Sequence, residues 1–142
     1  MRSEDIINFA RGLRDHLGTN DPETIAALYG IKVLYRWNNP DVFKAHTIKM
    51  DGYPTIITVN ERFSEVSRKM LCAHELGHAL LHEDTINHFD ITSRNILTNV
   101  EYEANLFAVA LLFDESDFSL PISKMSNSVL KSILDYNIWL EK

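Results

Sequence analysis

The stretch Ala73-His74-Glu75-Leu76-Gly77-His78-Ala79-Leu80-Leu81-His82 closes a longer apolar pattern whose period decides what this chain builds. Phe63, Val66, Met70, Ala73, Gly77 and Leu80/Leu81 recur at spacings of three and four, which predicts a buried helix from about residue 61 to Glu83. Inside it stands H-E-x-x-H. Residues four apart lie roughly 40° apart around a helix axis, so the imidazoles of His74 and His78 can converge on one ion. Glu75 lies roughly 100° round from His74, placed to reach a water beside that ion rather than the ion itself. Two histidines and a nearby carboxylate base are the donor set of metal-assisted hydrolysis.

Outward from this helix, the N-terminal side reads as helices and then a sheet. Ser3 is placed to cap a short helix carrying Ile6, Phe9, Leu13 and Leu17, and Asp21-Pro22 reads as an N-cap followed by proline at the first helical position. From Ile31 to Trp37 the residues become β-branched and aromatic. Two more strand-like runs, Val42 to Met50 and Tyr53 to Val59, flank Asp51-Gly52, a hairpin signal. The expectation is an α+β fold with a small three-stranded antiparallel sheet packed against helices. Its segments are N-terminal helices at 3–30, a sheet at 31–59, site helices at 61–83 and 98–113, and a C-terminal helix at 123–141. No repeat or Pro/Gly-rich linker divides the chain, so 1–142 reads as a single domain. The stretch Asp84 to Leu97 reads as a long loop of the kind that carries function.

A catalytic zinc site wants a third protein ligand and an open position. His82 lies about 12 Å along the axis from His74, too far to share an ion held by bonds of about 2.0 Å. It reads as a helix C-terminal residue facing the dipole. In Val100-Glu101-Tyr102-Glu103-Ala104-Asn105-Leu106-Phe107-Ala108 two carboxylates compete. Glu103 falls in line with Phe107, Ala110 and Leu111, where a carboxylate costs several kcal/mol unless paired or bound to a cation. Glu101, about 160° away around the helix, completes Thr98-x-x-Glu101, a capping-box pattern. The expectation is that Glu101 caps and Glu103 binds the metal. Tyr53, His88, Arg94 and Tyr102 are unranked candidates for stabilising an oxyanion.

Composition narrows the partners. Of 142 residues, 14 are Lys or Arg and 20 are Asp or Glu, a formal charge of -6 that gives no general pull on phosphate backbones or anionic lipid. Thr24 to Gly30 resembles the opening of a helix-turn-helix, but the segment after it is strand-like where a recognition helix belongs. No direct nucleic-acid contact and no membrane contact are expected. No apolar run reaches the roughly 18 residues of a membrane span. The lone Cys72 fits a reducing compartment, so a cytoplasmic location is expected, and as a residue it reads as a small packing group. Trp37 and Trp139 read as packing residues, and Asp114, Glu115 and Asp117 as a solvated acidic face.

Ala73 to His82, followed by Glu103-Ala104-Asn105-x-Phe107-Ala108 and Leu111-Leu112, resembles the ImmA/IrrE metallo-endopeptidases. Ile56 to Asn60, Ile25-Ala26 and Gly30 to Val33 also match that layout, and the resemblance covers residues from roughly 22 to 112. It departs at Leu111-Leu-Phe-Asp114, where the family commonly reads Leu-Leu-Met-Pro, and after Ser119. The resemblance implies a zincin-like fold and a gluzincin-like zinc site with His74, His78 and Glu103 as ligands and Glu75 as base. A His₂Glu set also accommodates manganese or iron. It further implies a hydrolase that cuts a partner protein, a helix-turn-helix repressor encoded nearby on a phage or integrative element, and so relieves repression. The alternative is a regulator that keeps the metal and inactivates the repressor by binding alone.

Overall fold

Two helices open the chain, α1 (Ser3–Leu17) and α2 (Pro22–Leu28). The computed structural model describes residues 2–82 and 94–141, apart from the side chains of 94–98. Asp21 caps α2 as expected, its carboxylate accepting from the Thr24 amide at 3.1 Å. Ser3 does not cap α1. It is the first helical residue, and its hydroxyl meets the Tyr102 hydroxyl at 2.7 Å.

Strands β1 (Lys32–Arg36), β2 (Ala45–Ile48) and β3 (Ile56–Asn60) form one sheet in the order β1-β3-β2. The fold is α+β, but the sheet is mixed where an antiparallel one was expected. β2 pairs antiparallel with β3, whereas β1 pairs with β3 in parallel, Val33 opposite Ile57 and Tyr35 opposite Val59. The cause is the connection 37–44. It crosses about 9.5 Å, two strand spacings, and leaves a slot that β3 fills. Buried Asn60 ties this crossing down, its amide donating to the carbonyls of Asn38 at 3.1 Å and Phe43 at 3.0 Å. Strands β2 and β3 are also shorter than their apolar runs. Gly52 has φ 82°, and no non-glycine residue has a positive φ among the described residues. With the Tyr53 amide donating to the Met50 carbonyl at 3.1 Å, the turn has the type II pattern, which lacks the twist of a two-residue hairpin.

The helix predicted through the H-E-x-x-H motif is α3 (Glu65–Leu81), capped by the Ser64 hydroxyl at 3.2 Å from the Ser67 amide, with His82 at its C-cap. Helix α4 (Arg94–Leu112) starts before Thr98. Of the loop expected at Asp84 to Leu97, residues 83–93 lie outside the described residues and 94–97 belong to α4. The C-terminal helix α5 (Asn127–Tyr136) is shorter than expected, because Ile122–Lys124 form a 3-10 turn and Ser126 caps the helix. The last residues return to α3, with Phe63 bridging Leu140 and the Trp139 amide donating to Ser67 Oγ at 2.7 Å.

Ile57 and Val59 of β3, Leu76 of α3, Phe107 and Leu111 of α4 and Ile6 of α1 are fully buried in one core. Residues 104 to 111 of α4 are all buried, so this helix has no solvent face over two turns. Trp37 is 68% exposed, with the Arg62 guanidinium 5.1 Å from its ring centroid, and is not a core residue. The acidic cluster is more than a solvated face: Glu115 meets Arg11 at 2.8 Å and Asp114 meets Arg14 at 3.2 Å, tying α1 to the end of α4. Among the described residues, no helix is long and apolar enough to cross a membrane.

Gly77 is where α3 and α4 touch. A Cβ there would lie 3.1 Å from Ala104 Cα, 3.2 Å from the Ala104 carbonyl oxygen and 3.2 Å from the Phe107 ring. Two of these neighbours are helix backbone and cannot swing away. Gly77→Ala is therefore expected to lower stability by about 1–2 kcal/mol, the overpacking cost exceeding the helix-propensity gain. Urea denaturation checks this, and a variant more stable than the parent contradicts it.

Candidate metal centre

Helical period brings His74 and His78 to one side of α3, and the packing at Gly77 brings α4 across that side. His74 Nε2 and His78 Nε2 stand 3.1 Å apart. The carboxylate between them is Glu101, with Oε2 at 3.1 Å from His74 Nε2 and Oε1 at 3.0 Å from His78 Nε2. These three groups each offer one ligand atom, all within 4.8 Å of one another, and could hold a metal ion. The spacing suits that purpose, since tetrahedral bonds of about 2.0–2.1 Å put neighbouring ligand atoms about 3.3 Å apart.

Glu103, the carboxylate expected here, lies elsewhere. Its Oε1 is 3.0 Å from His82 Nε2, and its side chain is 19% exposed against 51% for Glu101. Glu103 is thus the more buried carboxylate and does need a partner, but that partner is an imidazole. Glu101 is not a cap, because α4 is already helical from Arg94 and both Thr98 and Glu101 lie inside it. The sequence does carry a signal for Glu101. Asn105, one turn on and on the same face, donates through Nδ2 to Asn127 Oδ1 at 2.8 Å and lines the same cavity as His74. A face that holds a carboxylate and an amide four residues apart is a polar face pointed at the histidines.

Glu75 is buried beside the cluster. Thr47 of β2 donates to Glu75 Oε1 at 2.9 Å, which leaves Oε2 on the His74 side, 3.9 Å from Nε2. A cavity of about 220 Å³ opens there, lined by His74, Glu75 and Glu101, by Met70, Leu134 and Ile138, and by Lys44 and Lys131. Thr47 and α5 were not visible as site elements in the sequence, because both lie far from the motif helix along the chain and only packing brings them to it. Of the oxyanion candidates, Tyr102 is engaged by Ser3 and Tyr53 is 69% exposed on the connection after β2. His88 and the Arg94 side chain lie outside the described residues.

The family model for the IrrE N-terminal-like domain, a peptidase family, matches residues 15–131. The chain belongs to this family. The match runs from within α1 into α5, well past the region that the motifs alone cover. The chain is also similar to the uncharacterized immunity region protein 2 of Bacillus phage phi105, at 32% identity over 100 residues. That alignment covers 68% of the chain and 61% of the phage protein. No solved structure matches. For the IrrE-like chain the family match gives a metallopeptidase family.

The charges of the cluster depend on one another. Burial pushes the Glu101 carboxyl up, but hydrogen bonds from His74 and His78 and their charges outweigh it and hold the group far below the usual carboxylate range. Burial pushes His74 down, but the hydrogen bond to Glu101 and the charges of Glu75 and Glu101 leave it raised. Burial depresses His82 against the pull of Glu103, and it pushes the Cys72 thiol up to about 12, an inert packing group. A depressed Glu101 contributes stability above its ordinary value of 4.5 and loses it as pH falls through the folded value. A raised His74 contributes below its ordinary value of 6.5 and loses it as pH rises through the folded value. In the metal-free protein, the stability gap between wild type and Glu101→Gln is expected to be widest between about pH 4.5 and 6.5 and to narrow toward pH 8. Urea midpoints across this range read the gap; a gap that widens above pH 7 contradicts the pairing.

Proposed function

We propose that this chain is a zinc-dependent endopeptidase whose metal is held by His74, His78 and Glu101, with Glu75 as general base. The observation that carries this reading is the convergence of two imidazole nitrogens and a carboxylate at 3.0 to 3.1 Å, with a second buried carboxylate beside them. The donor set fits the ion. Two neutral nitrogen donors and one anionic oxygen are the mixture that suits zinc, and manganese or iron as further options. A divalent ion held there supplies Lewis-acid polarisation of a carbonyl and acidifies water at its open position.

The chain's own residues do the rest. Glu75 takes a proton at Oε2, since Thr47 occupies Oε1. Its buried setting lets it hand that proton to the departing amine without exchange into bulk solvent. The cavity wall formed by Met70, Leu134 and Ile138 offers an apolar seat for a substrate side chain beside the reacting carbonyl. Asn105, held by its bond to Asn127, lines the cavity beside His74 and Glu101.

The substrate we propose is a helix-turn-helix repressor encoded beside this gene on a phage or related element. Support comes from the phage immunity-region relative, of which the chain spans 61%. The net charge of -6 suits a regulator that reaches DNA only through a protein. Co-expression of the chain with the adjacent repressor tests the whole reading. Wild type is expected to yield two repressor fragments, and Glu75→Gln to retain zinc while cleavage falls by at least about 100-fold. Glu101→Gln is expected to lose both zinc and cleavage. An intact repressor with wild-type enzyme, released from its operator all the same, would instead mark a regulator that acts by binding.

A further inference from the structure

Behind His78, on the side away from the proposed metal, lies a second pair of groups. His78 Nδ1 is 3.2 Å from His82 Nδ1, and His82 Nε2 is 3.0 Å from Glu103 Oε1. His78 and His82 are both buried, their rings tilted with centroids 5.3 Å apart. The three side chains form a line from α4 to the motif helix.

Proton positions along this line follow from the chemistry of each atom. An ionised carboxylate only accepts, so His82 Nε2 is the donor to Glu103. A neutral imidazole carries one proton, so His82 Nδ1 is bare and accepts. His78 Nδ1 must then donate to it. With its proton held on Nδ1, the neutral form of His78 that binds a metal presents a bare Nε2, the atom that faces His74 Nε2 and that donates to Glu101 only in the charged form of the metal-free protein. We propose that Glu103 and His82 are positioning residues, a two-member relay that selects the metal-binding tautomer of His78 and holds its ring in place. The relay rests on the proposed ligand set and deepens it. It also assigns a role to both groups that the sequence marks without placing, the buried carboxylate and the third histidine of the motif helix.

Were the relay absent, His78 would divide between two tautomers, one of which aims an N–H at the metal position. Outer partners of ligating histidines typically carry about 10- to 100-fold in metal affinity. The experiment is a zinc competition titration against a chromogenic chelator for wild type, Glu103→Ala, His82→Phe and the double variant. Each single variant is expected to bind zinc about 10- to 100-fold more weakly, and the double variant no more weakly than the worse single one, because both break one chain of bonds. Single variants within about twofold of wild type, or losses that multiply in the double variant, overturn the relay. Should the variants fold poorly, long-range proton–nitrogen spectra of the zinc-loaded wild type read it directly. His82 is expected to be neutral with its proton on Nε2; a charged His82, or one protonated on Nδ1 alone, overturns the relay while the zinc site stands. A wild-type chain that binds no zinc takes down the ligand set first, and the relay with it.

Discussion

Gly77 lets the backbone of α4 approach α3 until a Cβ would stand 3.1 Å from Ala104 Cα, and the rest of the site depends on that closeness. Carboxylate side chains are short. A methyl group at Gly77 would separate the two helices, and hydrogen bonds of 3.0 to 3.1 Å to Glu101 from the two imidazoles, and of 3.0 Å to Glu103 from His82, leave little slack. Ala104 directly follows Glu103 in sequence and stands at the point of contact in space. Within the turn before that contact, Glu101 reaches the histidines of the motif and Glu103 the histidine beyond it.

Burial then sets the chemistry. His78, His82 and Glu75 are less than a tenth exposed, where an unpaired charge or polar group is costly. Each has a partner on another turn or another element: His78 with His82, His82 with Glu103, and Glu75 with Thr47. No buried side-chain nitrogen or oxygen lacks a hydrogen-bond partner among the described residues. A site held this way from α3, α4 and β2 keeps its geometry before any ion arrives, which is the condition for metal binding without a large ordering cost. The cavity beside it draws its apolar wall partly from α5, so the C-terminal helix shapes what can approach the carboxylates.

The elements themselves were largely legible in the chain. The three-four spacing from Phe63 to Leu81 announces α3, and Asp21-Pro22 announces α2, because helix period and capping are local properties. The α+β class follows from the same reading. What local pattern could not supply was the position of β3 between β1 and β2, decided by an eight-residue crossing and the buried amide of Asn60. Nor could a wheel of α4 tell Glu101 from Glu103, because residues 104 to 111 are buried on every side and the apolar stripe loses its meaning.

By itself the sequence determined that two histidines one turn apart share a face with a carboxylate beside them, and that a buried carboxylate on the later helix must find a partner. Those are consequences of the helical period and of the cost of burying charge, and they hold wherever the helix is placed. Only the tertiary structure decided which partner each carboxylate takes. Glu101 and Glu103 are two residues apart and point to opposite sides of one helix, so the rotation of α4 against α3 at Gly77 makes the choice. That rotation is set by a close contact between residues 77 and 104, a distance in space that no local pattern contains.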